Sequence, residues 1–223
     1  MTKSFSVQSP ESAMRLWVNE VSRVFHDRLI NNEDRRWFTE HVTELVNNGF
    51  RIKVEHDELF INERPRWGDL LKLEAPTPLY EEIKDLTKLK KTLVDQLDDF
   101  NMSGSNKMNL VFFDDCIEHI LRIARVLRQP RGNAMLIGVG GSGKQSVTRL
   151  ASSMLKIMFR QVEITKNYGP DQFKEFVKEL MFSAGIDGTP ISFVLTDTQI
   201  IDESFLEDIN NVLNTGEIPN LME

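Results

Sequence analysis

An α/β core preceded by a helical region is the fold class this sequence predicts, and three observations predict it. A glycine-rich stretch, GVGGSGKQS (Gly138 to Ser146), sits between a short apolar run and an amphipathic segment. A second apolar run, Ile191 to Leu195, is followed closely by an acid, Asp197. The N-terminal part instead carries its apolar residues at three- and four-residue steps, the period of helices that bury one face.

Bulk properties narrow the function classes. The chain has 223 residues, 40% hydrophobic and 27% charged, enough to bury a real core. A net charge of -7 argues against a nucleic-acid surface, which needs clustered Lys and Arg. The single cysteine, Cys116, excludes a disulfide framework and reads as a small packing residue. His26, His41, His56 and His119 lack metal-ligand spacing and read as structural or surface residues. No apolar run approaches the ~18 residues of a membrane span, and the N-terminus lacks the features of a signal peptide. An intracellular protein with no membrane partner is expected.

Ser9 as cap, Pro10 and Glu11 open a helix over residues 9–30, with Met14, Trp17, Val18, Val21, Val24, Phe25 and Leu29 along one stripe. A second helix is expected from Glu33 to Asn47, with Trp37, Phe38, Val42, Leu45 and Val46 inward and Gly49 just past its end. FRIKV (Phe50 to Val54) alternates like a short extended piece, and prolines then punctuate a connector to about Pro78. A boundary is placed there, dividing residues 1–78 from 79–223. Helical periodicity resumes at Leu86, Leu89, Leu93, Leu97 and Phe100, followed by a loop from Asn101 to Asn109. A further helix spans about Phe112 to Arg128, with Cys116, Ile117, Ile120, Leu121, Ala124 and Leu127 inward.

Ala134 to Ile137 reads as a short buried parallel strand, and Val147 to Leu155 as a helix. Strand, glycine loop and helix form the context in which GxxxxGK is a phosphate-cradling loop. Glycines allow the backbone torsions and close approach that a β-carbon obstructs. The amides of Gly140, Gly141, Ser142, Gly143, Lys144, Gln145 and Ser146 are then able to face phosphates at the positive end of a helix. Gly138 and Val139 begin the loop, and Lys144 would neutralise the β- and γ-phosphate oxygens. Asp197, at the carboxyl end of the strand Ile191 to Leu195, is the candidate for the magnesium shell, reached through water. A guanine nucleotide is disfavoured, since Asp197-Thr198-Gln199-Ile200 lacks the glycine of DxxG and no NKxD occurs.

At this point a resemblance emerges. IEHILRIARVLRQPRGNAMLIGVGGSGKQSVTRLA resembles the start of the fourth AAA+ module of dynein heavy chains, and FVLTDTQIIDESFLEDINNVLNTGEIPNL resembles the same module's Walker B strand and following helix in axonemal dyneins. SPESAMRLWVNEVSRVFHDRL is similar to the helical lid of the third module. The resemblance implies a P-loop AAA+ three-layer core, incomplete at its C-terminal end and preceded by that lid. It also implies ATP or ADP with Mg2+, the remaining AAA+ modules, intermediate and light chains and microtubules as partners of the parent motor, and a cytoskeletal, axonemal location in cilia or flagella. Family knowledge places another strand between those at Ala134 and Ile191. Without it their edges would stay unpaired, so the chain is expected to be poorly stable or to fill the gap with non-native pairing.

Hydrolysis is a separate matter. Gln145 follows Lys144 where a Ser or Thr usually helps hold magnesium, and Thr198 follows Asp197 where many hydrolysing AAA+ proteins carry glutamate. A threonine hydroxyl is a far weaker base. Glu203 and Glu207 fit better as solvent-facing residues opening the helix that contains Phe205, Leu206, Ile209 and Leu213. No catalytic residue is assigned. The expectation is a regulatory nucleotide site with weak or no hydrolysis, with an active ATPase and an inactive scaffold as the alternatives. Leu110 and Val111 are the candidate adenine-pocket residues.

Overall fold

The computed structural model describes residues 6–62, 64–104 and 107–221. Two compact units emerge: one runs to Asp99 and includes Val111–Arg122, and the other comprises Phe100–Leu110 and the chain from Ile123 onward. The boundary expected at residue 78 lies inside the first unit. No helix among the described residues is long and apolar enough to cross a membrane.

In the first unit, α1 spans Pro10–Val24, its Ser9 hydroxyl accepting the Ser12 amide at 3.1 Å. The helix stops short of the expected residue 30, turning into a 3-10 segment at His26–Arg28. Asp27 in that segment pairs with Arg23 and Arg122, and the turn takes Val24 and Phe25 off the buried stripe and into solvent. Helix α2 spans Asn32–Gly49, so Gly49 is its last residue rather than the one beyond. Val42 and Val46 pack with Met14, Val18 and Leu59, while Trp37 and Leu45 lie outside that stripe. Trp37 is exposed and stacks on His41 instead of entering the core.

The FRIKV piece forms no strand. The Asn47 side-chain amide donates to the Val54 carbonyl at 3.2 Å and accepts the Val54 amide at 2.9 Å, satisfying groups that a ladder would otherwise hold. Strand β1 (Trp67–Gly68) pairs antiparallel with β2 (Glu81–Glu82). Helix α3 spans Leu86–Ser103 and buries Leu89, Leu93 and Leu97, as its period predicts. The loop expected from Asn101 therefore begins later; Ser105 and Asn106 within it lie outside the described residues. Helix α4 (Asp114–Leu127) buries Cys116, Ile117, Ile120, Leu121 and Ala124. Leu127 is only half-buried, and Ile123 is buried in addition.

Glu118 on α4 is the centre of a buried ionic cluster. Its carboxylate accepts from Arg66 Nε at 2.6 Å and from Arg23 Nη1 at 3.4 Å, with Arg122 at 3.9 Å. Burial pushes this carboxyl up, but the charge of Arg64 and the Arg66 hydrogen bond outweigh it and hold Glu118 below the usual carboxylate range.

In the second unit, α5 (Lys144–Met154) precedes β3 (Met158–Gln161), α6 (Pro170–Gly185) and β4 (Ile191–Val194). A 3-10 turn, Asp197–Gln199, and α7 (Ser204–Asn214) follow. The two strands are parallel, Met158 opposite Ile191 and Gln161 opposite Val194. Phe173 of α6 stacks on Phe205 of α7 at 4.3 Å, in a core with Val162, Val177, Ile218 and Leu221. Leu206 and Leu213 are about half exposed, because Phe205 and Ile209 carry the buried side of α7.

Ala134 to Ile137 departs from its expected burial. It is not a strand, and Met135 and Ile137 are each 85% exposed. Apolar composition makes a strand only where another strand lies alongside, and β3 and β4 pair solely with each other among the described residues. The expected filling of the gap by non-native pairing is not observed there.

All three tryptophans, Trp17, Trp37 and Trp67, lie in the first unit, so their fluorescence reports its unfolding alone. Glu118→Gln leaves buried guanidinium groups underpaired and is expected to destabilise this unit by about 3 kcal/mol in urea titrations. Glu118 and Asp27 both have lowered pKa values, so their contribution is present above the ordinary carboxylate range. Tryptophan-detected stability should fall as pH drops below about 4, and less so in Glu118→Gln.

Candidate functional site

The glycine loop is built around backbone torsions that side chains resist. Gly141 and Gly143 have φ of 76° and 80°, in the left-handed region. Gly143 caps α5, and its carbonyl accepts the Val147 amide at 2.8 Å, which launches the helix directly from the loop. Val147, Leu150 and Ala151 anchor α5 by burial, as expected, and Leu155 is buried just beyond its end.

Lys144 folds back over the loop it ends. Its ammonium donates to the Gly138 carbonyl at 2.7 Å, the Val139 carbonyl at 2.8 Å and the Ser142 hydroxyl at 3.1 Å. Three partners match the three N–H donors of an ammonium. A β-carbon at Gly138 would stand 3.4 Å from Ser142 Oγ and 3.7 Å from the Lys144 nitrogen, whereas one at Gly140 would meet nothing within 4 Å. Gln145 is exposed on the first turn of α5 and Ser146 is half-buried. Leu110 approaches the loop, its Cδ2 lying 3.9 Å from where a Gly143 β-carbon would be; Val111 is 74% exposed.

Asp197 is exposed in the 3-10 turn after β4, on a different element from Lys144. No ion pair joins these two among the described residues, so Gly138, Val139, Ser142 and Lys144 are gathered directly while Asp197 is placed by its own strand. Among the described residues no group of three or more His, Cys, Asp or Glu could hold a metal ion. One carboxylate suits magnesium that takes its other ligands from phosphates and water, not a cage made by protein alone. Glu203 and Glu207 are exposed around the start of α7.

Gln199 was not among the residues singled out by sequence, yet it organises this turn. It is 4% exposed. Its Oε1 accepts from the Thr196 amide at 2.8 Å and the Thr196 hydroxyl at 2.9 Å, and its Nε2 donates to the Val162 carbonyl just beyond β3. Tyr168 donates its hydroxyl to the Gln199 carbonyl at 2.9 Å. The available signal was Thr196-x-x-Gln199, the S/T-x-x-E/Q spacing of a chain that turns into a helical segment.

Comparison with known proteins adds the family. A family described as "P-loop containing dynein motor region D4" matches residues 108–223, just over half of the chain. The chain belongs to this dynein motor family. The matched dynein region carries both the Lys144 loop and the Asp197 turn. The chain is 47% identical to human dynein axonemal heavy chain 6 over 211 residues, covering 94% of this chain and 5% of that protein. It is 42% identical to mouse dynein axonemal heavy chain 1 over 221 residues, 99% of this chain and 5% of that one. Human dynein axonemal heavy chain 2 is 45% identical over 212 residues, 94% and 5% respectively. This dynein segment thus spans about 5% of the length of the curated relatives it matches.

The contrast between two glycines tests the loop. Gly143→Ala forces a β-carbon into the left-handed region and is expected to cost about 1 kcal/mol, raising amide exchange across residues 140–147. Gly140→Ala, with open space and no positive φ, is expected to leave that exchange unchanged.

Proposed function

We propose that the chain supplies a regulatory ATP or ADP site, with weak or no hydrolysis, to an axonemal dynein heavy chain. The observation that carries this reading is Lys144 held against the Gly138 and Val139 carbonyls by a loop whose Gly141 and Gly143 are left-handed. Such a loop offers main-chain amides, a helix N-terminus and a fixed cation to a polyphosphate. Gly138 to Ser146 would hold the phosphates. Asp197 would hold Mg2+ through its waters, magnesium supplying charge neutralisation of the β- and γ-phosphates when bound.

Weak hydrolysis follows from Thr198. Its hydroxyl lies beside an acid but is itself 3.1 Å from the Thr196 hydroxyl, and it is too weak a base to activate water. Within the parent motor the strand pair would be part of a larger three-layer AAA+ core, in contact with the other modules. The motor itself would associate with intermediate and light chains and work on microtubules in ciliary or flagellar axonemes. Membership of the dynein family and likeness to axonemal heavy chains support that placement.

A fluorescent ATP analogue tests the site directly. Lys144→Ala is expected to lower its affinity at least ~100-fold, while Asp197→Asn should retain binding in EDTA and lose the enhancement by Mg2+. In the intact motor, Lys144→Ala should modulate motility and leave most microtubule-stimulated ATPase in place. Abolition of that ATPase would overturn the regulatory role.

A further inference from the structure

The hydrogen bonds behind Asp197 have only one proton arrangement, and it gives Thr198 a defined polarity. The Thr196 amide can only donate and the Val162 carbonyl can only accept, so the Gln199 amide is fixed with Oε1 toward Thr196 and Nε2 toward Val162. Oε1 has no proton, hence the Thr196 hydroxyl must donate to it. That spends the only proton Thr196 has. In the 3.1 Å contact between the two hydroxyls, Thr198 is therefore the donor and Thr196 the acceptor. With its own proton directed inward, the exposed Thr198 oxygen keeps only lone pairs for solvent.

We propose that Gln199 and Thr196 are positioning residues that set Thr198 as a hydrogen-bond acceptor beside Asp197, for a water of a hydrated magnesium–nucleotide. The proposal rests on the nucleotide reading above and adds to it the residues that orient its water shell. The chemistry is coherent. Waters around a divalent cation are strong donors, so they are met best by groups that cannot donate back. An exposed threonine with a free rotor could turn its proton toward solvent; the buried amide of Gln199 removes that freedom two hydrogen bonds away.

Thr196→Val breaks the relay while leaving Gln199 its bonds to the Thr196 amide and Val162, and Thr196→Ser preserves the relay. Binding of the fluorescent ATP analogue to the 223-residue chain is measured in EDTA and across a Mg2+ titration. For Thr196→Val and Gln199→Met, the Mg2+ needed for half-maximal enhancement is expected to rise about tenfold, with EDTA affinity within about twofold of the unmodified chain. Thr196→Ser should behave like the unmodified chain. An unshifted Mg2+ titration in Thr196→Val overturns the proposal, as does equal loss of binding with and without Mg2+, which would mark the relay as merely structural. An unmodified chain that fails to bind the analogue in either condition overturns the nucleotide reading, and this inference with it.

Discussion

Two parallel strands that have only each other for neighbours among the described residues need something beyond their ladder to fix where their ends stand. The buried Gln199 amide provides it here, joining the carbonyl just past β3 to the residue just past β4. Both acceptor positions and one donor of the amide are used, and Tyr168 ties its backbone to the same spot. A buried amide left without partners costs about 1–3 kcal/mol, so this one either holds the turn in a single form or penalises every other. Asp197 is exposed; its carbonyl accepts the Ile200 amide at 3.1 Å, its carboxylate forms no ion pair among the described residues, and the turn that carries it is held by Gln199.

The helices were legible because their information is local. Leu89, Leu93 and Leu97 recur every fourth residue and all are buried, and Ser9 with Pro10 marks a start that the structure keeps. The glycine loop was legible for the same reason, since Gly141 and Gly143 write a backbone requirement into residue type. What failed was information that belongs to pairs of segments. Val24 and Phe25 fit the period of α1, but Asp27 is drawn to Arg23 and Arg122, the helix ends at Val24 and both side chains are exposed. Phe50 to Val54 alternates like a strand, but its polar partner is a side chain, Asn47. The Glu118 cluster joins residues dozens of positions apart and leaves no trace in any local pattern.

Ala134 to Ile137 makes the same point at the site itself. Its composition is that of an interior strand, yet Met135, Ile137 and Val139 are each at least 80% exposed. Sequence reports what a segment is suited to bury, while the structure reports what lies near enough to bury it. The loop's geometry does not wait for that burial. Its torsions come from glycines and its lysine contacts from the loop itself, so the glycine loop and the apolar segment leading into it are separable parts of the fold.

The way Lys144 is held has a kinetic and thermodynamic meaning for an arriving anion. A free lysine gives up about 2 kcal/mol of rotamer entropy when it is immobilised. Here the side chain is tethered to Gly138, Val139 and Ser142 by three hydrogen bonds. An anion binding there would exchange partners around a cation whose place the loop has already set. Preorganisation of this sort lowers the ordering cost that an anion would otherwise meet on binding at the loop.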